Sequence, residues 1–394
     1  MEGNLFKMGI KSLKTLIDRC PKAVSKVPLG TFRGKRIAID ANNIAVIALT
    51  PAWRHVVMKT KYPQETPNME IFNKLWINAI KRQVERFLIA GITPVYVFDG
   101  TSPLEKKECR EDRRKKRSVT ETKFVTLMEE MSNFNPNKIP KNILDDARKQ
   151  AAIMWPYTIE ILKSLLGSIG VPIIQGADNQ IGCEAERICA NLCLEGYCSA
   201  TLSADGDTLV HGCPILIKKF LGNILDDTPG QTKSQEMVEI IDLRQLLIGL
   251  NLPFKEFVDV CIMSGCDYNN KKNIKGIGPV NSWKLIKEHH SIDKLPPKYD
   301  IVTLKHVQCR RLFSKMNVTK IIVNGSVPQL VINRSALSET AQDILSQYKM
   351  QGWIGTLMTL YSLIPELERK DAPPTSPPDL VICSGNSGIT LIVN

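Results

Sequence analysis

The stretch from Cys183 to Asp207 constrains this chain most, because it holds four carboxylates in two short pairs: Glu184 with Glu186, and Asp205 with Asp207. Like charges about 4 Å apart repel by roughly 4 kcal/mol at an effective dielectric of about 20. Such a set needs a cation, and hard divalent ions with oxygen ligands suit it best. Asp205 and Asp207 follow the apolar run Ala200-Thr201-Leu202. In extended backbone, residues i and i+2 point to one side. Glu184 and Glu186 fall where a helix should begin, a place at which the helix dipole favours acids. For one such pair alone, a solvated surface position is the simpler reading. The rest of the chain weighs against it.

At 394 residues the chain exceeds the usual size of a single core, so one large domain with appendages or two domains is expected. Its composition, 43% hydrophobic and 23% charged, is that of an ordinary globular protein. A formal net charge of +12 points to a polyanionic partner, either nucleic acid or an anionic membrane. No apolar run approaches the roughly 20 residues of a membrane helix. The start, Met1 to Lys7, lacks the basic opening and apolar core of a signal peptide. Nucleic acid is therefore the expected partner, with no membrane. The eleven cysteines include a cluster of Cys183, Cys189, Cys193 and Cys198, without C-x-x-C pairs or a nearby histidine. A reduced, intracellular, mostly buried set is expected.

Taken in order, Met8 to Ile17 opens as an amphipathic helix. Ile37-Ala38-Ile39-Asp40 is a short apolar strand ending in an acid, and Val95-Tyr96-Val97-Phe98-Asp99 repeats the design. Apolar runs alternating with helical patterns such as 71–90 predict an α/β fold with a mostly parallel sheet and helices on both faces. Ligand sites in such sheets lie beyond the carboxyl ends of the strands. Asp40, Asp99 and Asp205 all stand there, although each alone could simply cap the next helix. From Glu105 to Arg117 there are eight basic residues against four acids. That is either a solvated helix face or a source of phosphate contacts. The stretch 131–143 reads as loop or insertion, 144–166 as helix and 171–174 as strand. Further on, 214–220 reads as a strand and 254–263 as a helix. Lys275-Gly276-Ile277-Gly278-Pro279 then runs into a helix over 280–289. A Gly-x-Gly hairpin at a helix N-terminus exposes backbone N–H groups to a phosphate. With Lys275, Lys284 and Lys287 near it, the hairpin predicts DNA backbone binding. Residues 305–320 form a basic helical region, 371–378 are linker-like, and no internal repeat is evident.

These residues resemble the flap endonuclease family of structure-specific 5′ nucleases, which includes the XPG-type repair nuclease. The likeness covers 8–295 and rests on motifs that follow in the family's order. They are Met8-Gly9-Ile10, Ile39-Asp40, Val97-Phe98-Asp99-Gly100, Glu184-Ala185-Glu186, Asp205-Gly206-Asp207, Gly265-Cys266-Asp267-Tyr268 and Gly276-Ile277-Gly278-Pro279. The resemblance implies a PIN-like nuclease core with a helical arch insertion and a C-terminal helix–hairpin–helix-type DNA-binding region. It implies a divided chain: 1–99 and 156–295 for the nuclease, 100–155 for the arch, 296–370 for a helical extension and 371–394 for a flexible tail. Two Mg²⁺ ions are implied, one served by Asp40, Asp99, Glu184 and Glu186, the other by Asp205, Asp207 and Asp267. Lys106 and Arg113 correspond to the family's catalytic arch cations, and Gly276, Gly278, Lys275 and Lys284 to its duplex contacts. The implied activity is hydrolysis of phosphodiester bonds at 5′ flaps or related junctions, in a monomer working in the nucleus. The alternatives are a non-catalytic junction-binding scaffold of the same fold and an RNA-directed metal nuclease.

The chain departs from the family at several points. Seven residues precede Met8, so that either Met8 is the true start or this terminus is arranged differently. Val46 stands where members often carry a base-stacking aromatic, with Trp53 a candidate substitute. The loop 176–182 is longer than usual. The tail lacks the glutamine-and-aromatics box that binds the sliding clamp. These differences suggest a divergent, viral-type member.

Overall fold

The computed structural model describes residue 10 and residues 13–60, 65–131, 155–177, 182–221, 236–323, 328, 330–333, 339–347 and 350–364. The strands are β1 (Val24–Pro28), β2 (Arg36–Asp40), β3 (Thr93–Phe98), β4 (Ile173–Gln175), β5 (Ala200–Leu202), β6 (Ile215–Phe220) and β7 (Met237–Asp242). They form one sheet in the order β1-β7-β6-β5-β2-β3-β4. The five strands from β6 to β4 are mutually parallel, while β7 and β1 are added antiparallel. All six residues of β3 are buried, as a parallel strand covered on both faces requires.

Alternation along the central strands divides the core. Ile37, Ile39, Tyr96 and Phe98 face one apolar cluster, and Ala38, Val95 and Val97 face another. The first cluster takes in the helices Ala41–Met58, Met69–Ile89 and Trp155–Ser168. Asn68 caps the second of these through the N–H of Ile71 (2.9 Å), and its stripe from Phe72 to Leu88 is centred on the fully buried Trp76. The helix Ala185–Leu194 covers the opposite face. A third cluster gathers the helices Leu243–Leu250, Phe254–Ser264, Pro279–His289 and His306–Phe313. There Arg310 forks onto Asp259 with two contacts of 2.6 Å. The helix Trp353–Tyr361 returns to the first cluster, where the Tyr361 hydroxyl donates to the carbonyl of Ile169.

The chain lays β2, β3 and β4 outward to one side, then places β5 on the other side of β2. That reversal opens a crevice beyond the carboxyl ends of β2 and β5, where open α/β sheets hold their ligands. The α/β fold class is as expected, with β1 and β7 as strands the sequence did not announce. The cysteines are mostly buried, as expected: among the described residues nine of ten are buried and Cys193 is half-buried. Met131 still belongs to the helix Lys107–Met131; the rest of the expected loop at 131–143 and the start of the 144–166 helix lie outside the described residues, as do Met8, most of loop 176–182 and the tail.

Candidate active site

Each of the expected acids reaches the crevice through its element. Asp40 ends β2 and caps the next helix, accepting the Asn43 N–H at 3.0 Å. Its other oxygen accepts the Ser203 hydroxyl (3.0 Å), which itself accepts the Asp205 N–H at 3.0 Å. Capping and site geometry are thus one arrangement. Asp99 follows β3 and accepts the Ala185 N–H (2.7 Å) and the Asn42 amide. Glu184 is the cap residue of the helix Ala185–Leu194, and Glu186 lies in its first turn. Asp267 opens a short turn directly after the helix Phe254–Ser264.

Asp205 and Asp207 correct the extended-chain expectation. β5 stops at Leu202, Gly206 is helical, and Asp207 begins a four-residue helix. The two acids meet because Asp205 accepts the Asp207 N–H at 3.0 Å, as acids do in tight turns. The Ile10 N–H donates to Asp207 at 2.6 Å, so the N-terminal segment reaches the site.

Lys106 and Arg113 converge on the same place. Lys106 ends a short turn, followed by the helix Lys107–Met131, which carries the basic run. Its ammonium lies 2.7 Å from Glu184, 3.3 Å from Glu186 and 3.7 Å from Asp267. Arg113 binds Asp267 at 2.5 Å, and Lys271 reaches the same carboxylate at 3.6 Å. Lys218, within β6, donates to the Ala204 carbonyl beside the aspartate pair. Lys271, Lys218, Asn42, Ser203 and Tyr268 were not assigned from the sequence. Only Tyr268 carried a signal, by adjoining Asp267 in a recognised motif.

The charges are poorly neutralised. Burial, reinforced by the neighbouring Asp99, pushes the Asp40 carboxyl up to about 7. Burial also raises Asp99, Glu186, Asp205 and Asp207, and like charges nearby add to it. For Asp267 burial is outweighed by Lys106, Arg113 and Lys271, which hold it below the usual carboxylate range. Burial would discharge Lys106, but Glu184 and Glu186 outweigh that and keep its ammonium charged. Acids this reluctant to ionise, all offering oxygen, fit a hard divalent cation. Among the described residues no three side chains already converge at ion-binding spacing. The Lys106 ammonium stands among three of them instead.

Gly276 has φ +77°, and a side chain added there or at Gly278 would meet nothing within 4 Å. Gly278 precedes the helix Pro279–His289, and Lys275 and Lys284 are exposed beside it. Trp53 does not fill the stacking role. It is 6% exposed, and its ring packs edge-on against Phe72 at 5.5 Å, inside the core.

A parallel-centred sheet with acids at its switch point and a basic helix above defines a nuclease fold of the PIN-like class. The XPG N-terminal domain model matches residues 8–120 and the XPG I-region model residues 170–267. Flap endonuclease 1-A of Oryza sativa subsp. japonica is 31% identical over 320 residues, spanning 79% of this chain and 76% of that one. Flap endonuclease 1 of Cryptosporidium parvum is 30% identical over 347 residues, 82% of this chain but only 65% of that protein's length. The catalytic core of Rad2, solved in complex with a DNA substrate, shares the fold with a TM-score of 0.53 at 19% identity. That alignment covers 90% of this chain and 99% of the other. The chain belongs to the flap endonuclease/XPG family.

Proposed function

We propose that the protein is a divalent-cation-dependent endonuclease that cuts DNA at 5′ flaps or related junctions. The observation that carries this reading is the gathering of seven acids with Lys106 and Arg113 at one crevice. Asp40, Asp99, Glu184 and Glu186 would hold one Mg²⁺, and Asp205, Asp207 and Asp267 a second. Two such ions supply a water activated for attack and charge stabilisation at the leaving 3′-oxygen. Lys106 and Arg113 stand where they can exchange a carboxylate for the non-bridging oxygens of a phosphodiester and offset the charge that builds there. The hairpin at Gly276 to Pro279 presents backbone N–H groups to a duplex phosphate, with Lys275 and Lys284 at its sides. Such contacts carry no base information, so selectivity falls to the shape of the junction.

The domain division given above, with 100–155 as arch and 296–370 as extension, belongs to the same proposal, as does a nuclear place of action. No helix among the described residues is long and apolar enough to cross a membrane. The test is cleavage of a 5′-flap DNA, a matched single strand and a matched RNA, with Mg²⁺ and with chelator. Mg²⁺-dependent cutting near the flap base is expected. Tight junction binding without cutting would favour the scaffold, and preferential cutting of the RNA would favour the ribonuclease.

A further inference from the structure

Behind Glu184 runs a buried polar chain that the proposed reaction does not use. The Tyr268 hydroxyl donates to Glu184 Oε2 at 2.9 Å, while Lys106 holds Oε1 of the same carboxylate. The Tyr268 oxygen also lies 3.3 Å from His211 Nε2. Tyr268 has one proton to give, and Glu184 takes it, so the second contact needs a donor on His211. The imidazole is therefore the Nε2–H tautomer. Its Nδ1, buried and without a partner, is then a bare lone pair rather than a stranded donor. Burial holds this imidazole neutral, with help from the charges of Arg187 and Lys106.

The surroundings fix the geometry. His211, Tyr268 and Phe313 are 2%, 3% and 2% exposed. The Phe313 ring centroid lies 5.0 Å from each of the other two. His211 sits at the end of the helix Asp207–Val210, its backbone N–H donating to the Asp207 carbonyl at 3.1 Å. One imidazole thus joins the segment bearing Asp205 and Asp207 to the carboxylate of Glu184. Burying a polar ring here costs free energy that its hydrogen bond to Tyr268 partly offsets.

We infer that His211 is a positioning residue: its Nε2–H turns the Tyr268 hydroxyl onto Glu184, fixing that carboxylate with Oε1 facing the crevice for a divalent ion. Partners of this kind orient a ligand and raise ion affinity without touching the ion. The inference rests on the reading of Glu184 as an ion ligand.

The test is Mn²⁺ binding to the DNA-free protein by calorimetry, with thermal melting run alongside. His211→Gln keeps an N–H donor at the Nε2 position, whereas His211→Asn places one only at the Nδ1 position. H211Q should bind within about two-fold of the parent, while H211N and Tyr268→Phe should each bind about ten-fold more weakly. The double variant H211N/Y268F should bind no more weakly than Y268F, because His211 acts only through Tyr268. Equal affinity in H211N and the parent, or losses that add in the double variant, would overturn the positioning role and leave a packing one. Should an asparagine variant fail to fold, His211→Phe, which keeps ring volume and removes the donor, is read in its place. A parent protein that bound no Mn²⁺ would sink the ion-site reading itself, which separates the two failures.

Discussion

Lys106 is held by three carboxylates at once, directly before the helix Lys107–Met131 that carries the basic run. Under the proposed function this ammonium exchanges those acids for an incoming phosphodiester. Lys106→Ala should lower the single-turnover cleavage rate by roughly 100-fold, the usual loss when one preorganised charge donor is removed. DNA affinity, read by fluorescence anisotropy, should change far less. An unchanged rate would take Lys106 out of the chemistry. At this scale the sequence was legible where chemistry and position coincide. Asp40 and Asp99 stand at strand ends in both readings, and the order of motifs picks out Asp267. Contacts closed by the fold were not legible. Tyr268 meets Glu184 across 84 positions and His211 across 57, and no local pattern records such a meeting.

Among the elements, the hairpin before the helix Pro279–His289 offers the cleanest separation of folding from binding. Gly278 has φ −94°, which a side-chain-bearing residue adopts without strain, and the space where its Cβ would sit is open. Gly278→Val should therefore melt like the parent. Its side chain should hold a phosphate off the backbone N–H groups and weaken duplex binding about ten-fold, the low end of the about 1.5–3 kcal/mol of a hydrogen bond to a charged group. Normal affinity in that variant would refute the hairpin assignment. The elements show why some sequence readings failed. Asp205 and Asp207 look extended because a strand precedes them, but a side-chain bond from Asp205 turns the chain after Leu202. Trp53 looks available for stacking, but its side of the helix Ala41–Met58 faces Phe72 and the core. β1 and β7 escaped notice because β1 pairs with a segment far along the chain, Val24 opposite Ile241.

For the whole molecule, the buried acids couple stability to pH and to cations. Asp40 titrates at about 7 in the folded chain, against about 3.9 when unfolded. Asp99, Glu186, Asp205 and Asp207 shift in the same direction. Between these limits the folded state binds more protons than the unfolded one, so stability falls as pH rises. In chelator, the melting temperature should drop between about pH 5 and 8, and millimolar Mg²⁺ should restore most of the loss at pH 8. A melting temperature that stayed level across that range would mean the acids are compensated within the protein.

The central claim is that these acids serve a reaction rather than the fold. Asp205 puts it to the test most directly, because Asp205→Asn keeps the size of the side chain and an oxygen for the Asp207 N–H. The measurement is flap cleavage and flap binding side by side in the parent and in D205N with Mg²⁺. The account predicts that D205N melts like the parent and binds the flap with nearly unchanged affinity but does not cut it. Cutting at the parent's rate, or a loss of binding as large as the loss of cutting, would contradict it.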